Sequence, residues 1–173
     1  MRLKLRWLLL RSLLSRKDKE LEPVARESRE KGREIAIQVI NRQRQFLLAK
    51  CIYDMDLAEY VADLGSDYQI SYELQFLWGL FCEHVKHYAL PTDEYSRTKI
   101  HLIDWLVMVH GFKLDAAVQE VNKIADMYNK CEPLFEIISK NGRRSYMSPN
   151  EEFMFTTFNI LMDQQKCRPD GNL

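Results

Sequence analysis

The stretch SYELQFLWGLFCEHVKHYA, residues 71–89, decides the fold. Leu74, Leu77, Trp78, Phe81, Val85 and Tyr88 recur at three- and four-residue intervals, so they share one face of a helix. A half-buried strand would alternate with period two, and this stretch does not. Pro91 stops the helix because it has no amide hydrogen to donate and its ring crowds the preceding turn.

The same periodicity continues in both directions. Downstream, Thr92 is placed to cap a helix in which LIDWLVMV (102–109) is apolar almost all round, which marks it as the central, most buried element. Gly111 ends it. Leu114, Val118, Val121, Ala125 and Tyr128 form the stripe of the following helix. A short helix is expected from Pro133 to Asn141, closed by Gly142. S-P-N-E at 148–151 reads as a capping box with proline at the first helical position, opening a last helix that runs to about Lys166. Upstream, Pro23 suits the first turn of a long helix supported by Glu22–Arg26 and Glu27–Lys31 pairs. Ile40, Leu47, Leu48, Cys51, Ile52 and Met55 continue a core-facing stripe with a break near Asp54, and Gly65 stands just past a helix end. The expectation is an all-α, single-domain helical bundle of six or seven helices over residues 23–173. A basic amphipathic N-terminal arm and linker precede it at 1–22.

Composition agrees with that class. The 173 residues suffice for one ordinary core, and 46% hydrophobic with 29% charged residues is neither a disordered nor a membrane-spanning balance. The longest stretch free of Asp, Glu, Lys and Arg, Phe153 to Met162, is too short to span a bilayer. Cys51, Cys82, Cys131 and Cys167 are widely spaced and form no C-x-x-C pair. That spacing points to free thiols in a reducing, cytoplasmic compartment rather than to zinc or a disulfide framework.

The net charge of zero hides an asymmetry. Residues 1–50 carry 14 Lys/Arg against 6 Asp/Glu, and residues 51–173 carry 11 against 19. A basic segment joined to an acidic body implies an anionic partner for the first, or contact between the two, within one chain or between copies as a homo-oligomer.

The chain opens MRLKLRWLLLRSLLSRK, with six basic residues and no acidic one. Leu3, Trp7, Leu10 and Leu14 fall on one narrow helical stripe. Arg11 interrupts the apolar run too early for a secretory signal, and no small-residue cleavage site follows. A transit peptide and an interfacial helix on an anionic membrane both fit the composition. The favoured reading is a docking helix whose stripe packs on protein.

Three sets of residues could carry chemistry. In C-E-H-V-K-H (82–87), His84 and His87 lie three apart, but the spacing matches no familiar zinc or di-iron pattern, so helix-flank histidines are expected. Arg97, His101 and Asp104 form one polar strip on the central helix, and with no accompanying nucleophile it is expected to face water between neighbouring helices. His110 reads as a cation at a helix C-terminus. Arg26, Arg29, Arg33, Arg42 and Arg44, with Arg143, Arg144 and Tyr146 in a loop NGRRSYM, could contact phosphates and stack a base. Glu27, Glu30 and Glu34 interleave the first cluster, which favours a solvated, salt-bridged face. Phe155 and Met162 extend apolar character around the last helix beyond its inward stripe of Met154, Phe158 and Leu161, and are a candidate docking face.

The expected function is a non-catalytic protein-interaction module, with another protein as partner and no cofactor. A nucleic-acid-associated helical subunit using the basic N-terminal third is the alternative, and peripheral membrane association through residues 1–50 is compatible with either.

Overall fold

The computed structural model describes residues 22–64, 66–88, 90 and 92–166. Seven helices and no strand occupy them: α1 (Glu22–Cys51), α2 (Met55–Asp63), α3 (Ser66–Lys86), α4 (Glu94–Met108), α5 (Leu114–Asn129), α6 (Pro133–Met147) and α7 (Phe153–Lys166). The all-α expectation holds. The arm, with Leu3, Trp7, Leu10 and Leu14, lies outside the described residues, as do Gly65, Pro91 and Cys167.

The centre of the bundle is α3, in which every residue from 72 to 81 is buried. The stretch expected to be most central, in α4, is buried over a shorter run, 101–107. What places α3 at the centre is its crossing with α6. A Cβ built on Gly79 would stand 1.7 Å from the Ser139 carbonyl oxygen, and one on Gly142 would stand 1.8 Å from that of Phe76. The two helices therefore touch backbone to backbone, closer than the 8–10 Å axis separation that ordinary side chains impose. Gly142 was expected to close a helix. It lacks the positive φ of a terminator, and α6 runs through it to Met147, so NGRRSYM is helical rather than a loop.

Around this crossing the large side chains point outward into the remaining helices. Trp78 meets Tyr95 of α4, Tyr128 of α5 and Phe135 of α6 at ring-centroid distances of 5.6, 5.1 and 6.0 Å. On the other flank Tyr72 packs on Phe158 of α7 at 4.7 Å. Val121, Ala125, Met154, Phe158 and Leu161 are buried as their stripes predict.

Helix ends follow local chemistry, with two corrections. Asp54 breaks the chain between α1 and α2, and its carboxylate accepts from the Leu57 amide at 3.0 Å. Gly111 takes φ 72° after α4. Asp93, not Thr92, caps α4 by accepting from the Ser96 amide at 2.8 Å. The expected capping box at 148–151 does not start a helix: Ser148–Glu151 is a turn, and α7 begins at Phe153. Its cap comes from 111 residues away, where the buried Gln43 of α1 accepts from the Met154 amide at 2.9 Å and donates to the Glu151 carbonyl at 2.6 Å.

The crossing makes a sharp prediction. Gly79→Ala and Gly142→Ala should each cost at least about 3 kcal/mol, because the obstructing atoms are backbone and cannot rotate away. Gly111→Ala meets nothing within 4 Å and should lose only about 1 kcal/mol, from its positive φ. Urea unfolding of the three variants checks the order.

Candidate functional site

A groove opens where α1, α2, α3 and α7 meet. Leu47 and Leu48 of α1, Val61 and Leu64 at the end of α2, Tyr72 of α3, and Met154 and Phe158 of α7 form its apolar walls, enclosing about 180 Å³. Arg44 and Glu73 are the charged groups among its lining residues. Beside it, at the α1–α2 corner, Leu48, Ile52, Tyr53 and Met55 are 62%, 73%, 90% and 68% exposed. Exposed apolar residues clustered at a groove mark a binding surface more than singly scattered ones do.

This corner corrects the core-facing expectation for Leu48, Ile52 and Met55. The buried face of α1 is Ala36, Val39, Ile40, Gln43 and Leu47. Leu48 lies one residue, about 100°, off that face, and Ile52 continues Leu48 one turn on. The helix then ends, so nothing on α1 carries Ile52, Tyr53 or Met55 back to the core.

Glu73, almost fully buried, anchors the charged end of the groove. Its Oε2 accepts from Arg44 Nη2 at 2.6 Å, and its Oε1 accepts from Trp105 Nε1 at 2.7 Å and from His110 Nε2 at 2.6 Å. His110 thus pairs with a carboxylate, in addition to standing just past the end of α4. One side chain ties together α1, α3, α4 and the turn after α4.

A second polar assembly fills the seam between α1, α3 and α4, and it overturns the expectation of a solvated strip. Arg97, His101 and Asp104 are all buried, and so is His84, which was expected on a helix flank. His101 Nδ1 donates to the Arg97 carbonyl at 2.8 Å, so in the neutral ring its Nε2 accepts from Ser28 Oγ at 3.2 Å. His84 Nε2 donates to the Ser28 carbonyl at 2.8 Å, leaving a buried, unpartnered Nδ1. Gly32 makes room, since a Cβ there would stand 2.9 Å from His101 Cδ2 and 3.0 Å from His84 Cδ2. Arg97 Nη1 donates to the Val85 and Tyr88 carbonyls at 2.9 and 2.8 Å, satisfying the end of α3. Arg33 Nη1 pairs with Asp104 Oδ2 at 2.5 Å.

Burial sets the protonation of this seam. Desolvation pushes His101 down to about 3, beyond what its hydrogen bond to the Arg97 carbonyl restores. It lowers His84 as well, and lifts the Asp104 carboxyl above its usual range despite Arg33. Two neutral imidazoles held by backbone carbonyls are a structural device, and their geometry offers no exposed general base.

The arginines of the nucleic-acid reading are mostly engaged. Arg26 pairs with Glu30 at 2.8 Å, and Arg29, buried rather than on a solvated face, pairs with Glu22 at 2.9 Å. Arg33 and Arg44 hold Asp104 and Glu73, and Arg42 donates to Asn150. Arg143 and Arg144 are exposed on α6, while Tyr146 stacks on His87 at 5.5 Å. Phe155 and Met162 are half-buried; Phe155 packs against the core with Lys50 Nζ 5.1 Å from its ring centroid. Cys51, Cys82 and Cys131 are free thiols, and burial raises the first two. Among the described residues no three His, Cys, Asp or Glu are grouped to hold a metal ion, and no helix is long and apolar enough to cross a membrane.

Comparison of the chain with protein-family models, with curated proteins and with solved structures gives no match.

Two outcomes test this electrostatic account. A histidine lowered by folding binds its proton only when unfolded, so its contribution is intact above about pH 6.5 and drains away as pH falls toward the folded value. His101 alone should cost about 1 kcal/mol between roughly pH 7.5 and 5.5, His84 should add to it, and Asp104, raised by folding, opposes both just above the carboxylate range. Denaturant midpoints across this range should fall more steeply for the wild type than for His101→Gln. Equal slopes would contradict the assignment. Glu73→Gln gives one carbonyl where three donors converge, and should cost about 2 kcal/mol in the same assay.

Proposed function

We propose that the protein is a non-catalytic interaction module whose groove between α1, α2, α3 and α7 receives an apolar segment of a protein partner. The observation that carries this reading is the exposure of Leu48, Ile52, Tyr53 and Met55 beside an apolar groove that has charged side chains among its lining residues. Binding sites combine apolar walls with a few fixed polar groups in this way. Aromatic and methionine side chains such as Tyr53 and Met55 are the types enriched at protein interfaces. The engaged arginines of α1 favour this reading over phosphate binding, which needs cations free to meet a backbone. A reducing, cytoplasmic setting fits the free thiols of Cys51, Cys82 and Cys131 among the described residues.

Two expectations follow. Ile52→Asp should change unfolding stability by less than about 0.5 kcal/mol, since the side chain is mostly solvated, yet it should weaken partner binding. A loss of several kcal/mol would return Ile52 to the core and remove the site. In a cell extract, the full chain carrying a photo-crosslinking residue at position 52 should yield an adduct of defined mass, whereas one at the exposed Lys123 of α5 should not. Absence of any adduct at 52 would contradict the docking reading.

A further inference from the structure

The two halves of α1 are seated differently. On this helix the continuous apolar core begins at Ala36, with Ile35 at its edge. Before that point the buried residues are Glu22, Ala25, Ser28, Arg29 and Gly32, none of which has a large apolar side chain. Apolar burial is the main favourable term in packing, and this half gains little of it. What seats it is the polar seam with α3 and α4: Ser28 against His84 and His101, and Arg33 against Asp104. Gly32 brings the helix backbone against both rings.

Both rings fill the seam in a form that leaves no place for another proton. His101 has its two nitrogens in use, Nδ1 donating to the Arg97 carbonyl and Nε2 accepting from Ser28 Oγ. A proton on Nε2 would set donor against donor unless Ser28 turned its hydroxyl hydrogen away. His84 would take its proton on Nδ1, which is buried without a hydrogen-bond partner. The charges around the rings do not compensate. Arg29 and Lys31 act on them from α1, His87 acts on His84 from just past α3, and the two imidazoles lie 5.5 Å apart. Tyr88 and, from α6, Tyr146 put aromatic rings rather than carboxylates beside His84. The acids are engaged elsewhere: Glu22 with Arg29, Asp104 with Arg33, Glu27 with Lys31 and Glu30 with Arg26. From α4, Arg97 brings a further cation, which donates to the Val85 and Tyr88 carbonyls. An imidazolium held here would be a buried charge with no counter-charge, which is strongly disfavoured.

We propose that residues 22–35 form an acid-released strap, closed on α3 and α4 while both imidazoles are neutral and freed from them as the rings take up protons. Release gives both rings water. The freed half then frays back toward Ala36, since a helix this short is marginal without tertiary packing. Ala36, Val39, Ile40 and Leu47 keep the rest of α1 in the core. Acid favours the open form because desolvation holds His101 at about 3 in the closed one and lowers His84 as well, so protons bind on opening. From roughly pH 7.5 to 5.5, His101 alone should raise the open-to-closed ratio about tenfold, its ring titrating near 6.5 once open. His84 adds to this. Burial lifts Asp104, which therefore resists release, but only nearer the carboxylate range.

Amide hydrogen exchange of the full wild-type chain, with each rate corrected for the intrinsic effect of pH, tests this. Protection at residues 26–35 should fall about tenfold or more between roughly pH 7.5 and 5.5, and at both pH values it should stay well below that of residues 76–80. In the double variant His84→Gln/His101→Gln, whose side chains stay uncharged, protection at 26–35 should hardly change with pH. His101→Gln alone should keep only the share due to His84. Circular dichroism reports the fold of each variant, and the wild-type profile decides the matter even where a variant fails to fold. Protection at 26–35 that does not respond to pH overturns the inference. So does protection equal to that of residues 76–80, which would mean that this half of α1 leaves only when the whole bundle unfolds. A folded double variant with the wild-type response to pH would equally overturn it.

Discussion

The backbone contact between α3 and α6 at Gly79 and Gly142 is the constraint on which the rest of the structure depends. Each glycine lies against a carbonyl oxygen of the other helix, at a spacing where even a methyl group cannot fit. With no side chains at the crossing, the large residues of α3 on either side of Gly79 are free to fill the space toward α4, α5, α6 and α7. Trp78 and Tyr72 serve opposite flanks in this way. Close approach gains dispersion contacts along two backbones, and it fixes the register of the pair, because a shift of one residue would drive a Cβ into a carbonyl.

The long helix α1 is attached by different means. Besides placing Ala36, Val39, Ile40 and Leu47 in the core, it meets the bundle through buried polar groups: Ser28 against His84 and His101, Arg33 against Asp104, and Gln43 against the start of α7. Such contacts add little net stability, but each is costly to leave unmade, so they specify where α1 lies more than how firmly. Beyond Leu47 only Lys50, paired with Glu152, and the half-buried Cys51 still meet the bundle. The last turn of α1 and the corner into α2 consequently extend apolar side chains past the edge of the core, and the groove is the result.

Much of this architecture was legible in the residues themselves. Stripes at 74–85, 114–125 and 154–161 named their helices because apolar periodicity is a local property. Asp54 and Gly111 marked chain breaks for the same reason. What sequence pattern could not distinguish was whether a polar strip faces water or another polar strip. Arg97, His101 and Asp104 have the spacing of a solvated face, and only the placement of Ser28 and Arg33 opposite them makes that face interior. The groove was missed for a related reason: Leu47 and Leu48 are neighbours in sequence but stand about 100° apart on the helix, and only one of those directions meets a neighbouring helix. A stricter reading of the α1 stripe, which leaves Leu48 and Ile52 off it, was the available signal. The capping box at Ser148 misled because its role is taken by Gln43, which stands 111 residues before the Met154 amide it caps.

Native-state amide hydrogen exchange tests the central claim most directly. If the α3–α6 crossing organises the bundle, the slowest amides should cluster at residues 76–80 and 139–143 and exchange only by global unfolding, while those of α2 open locally and much sooner. Slowest exchange located instead in α1, with the crossing opening by local fluctuation, would contradict the account.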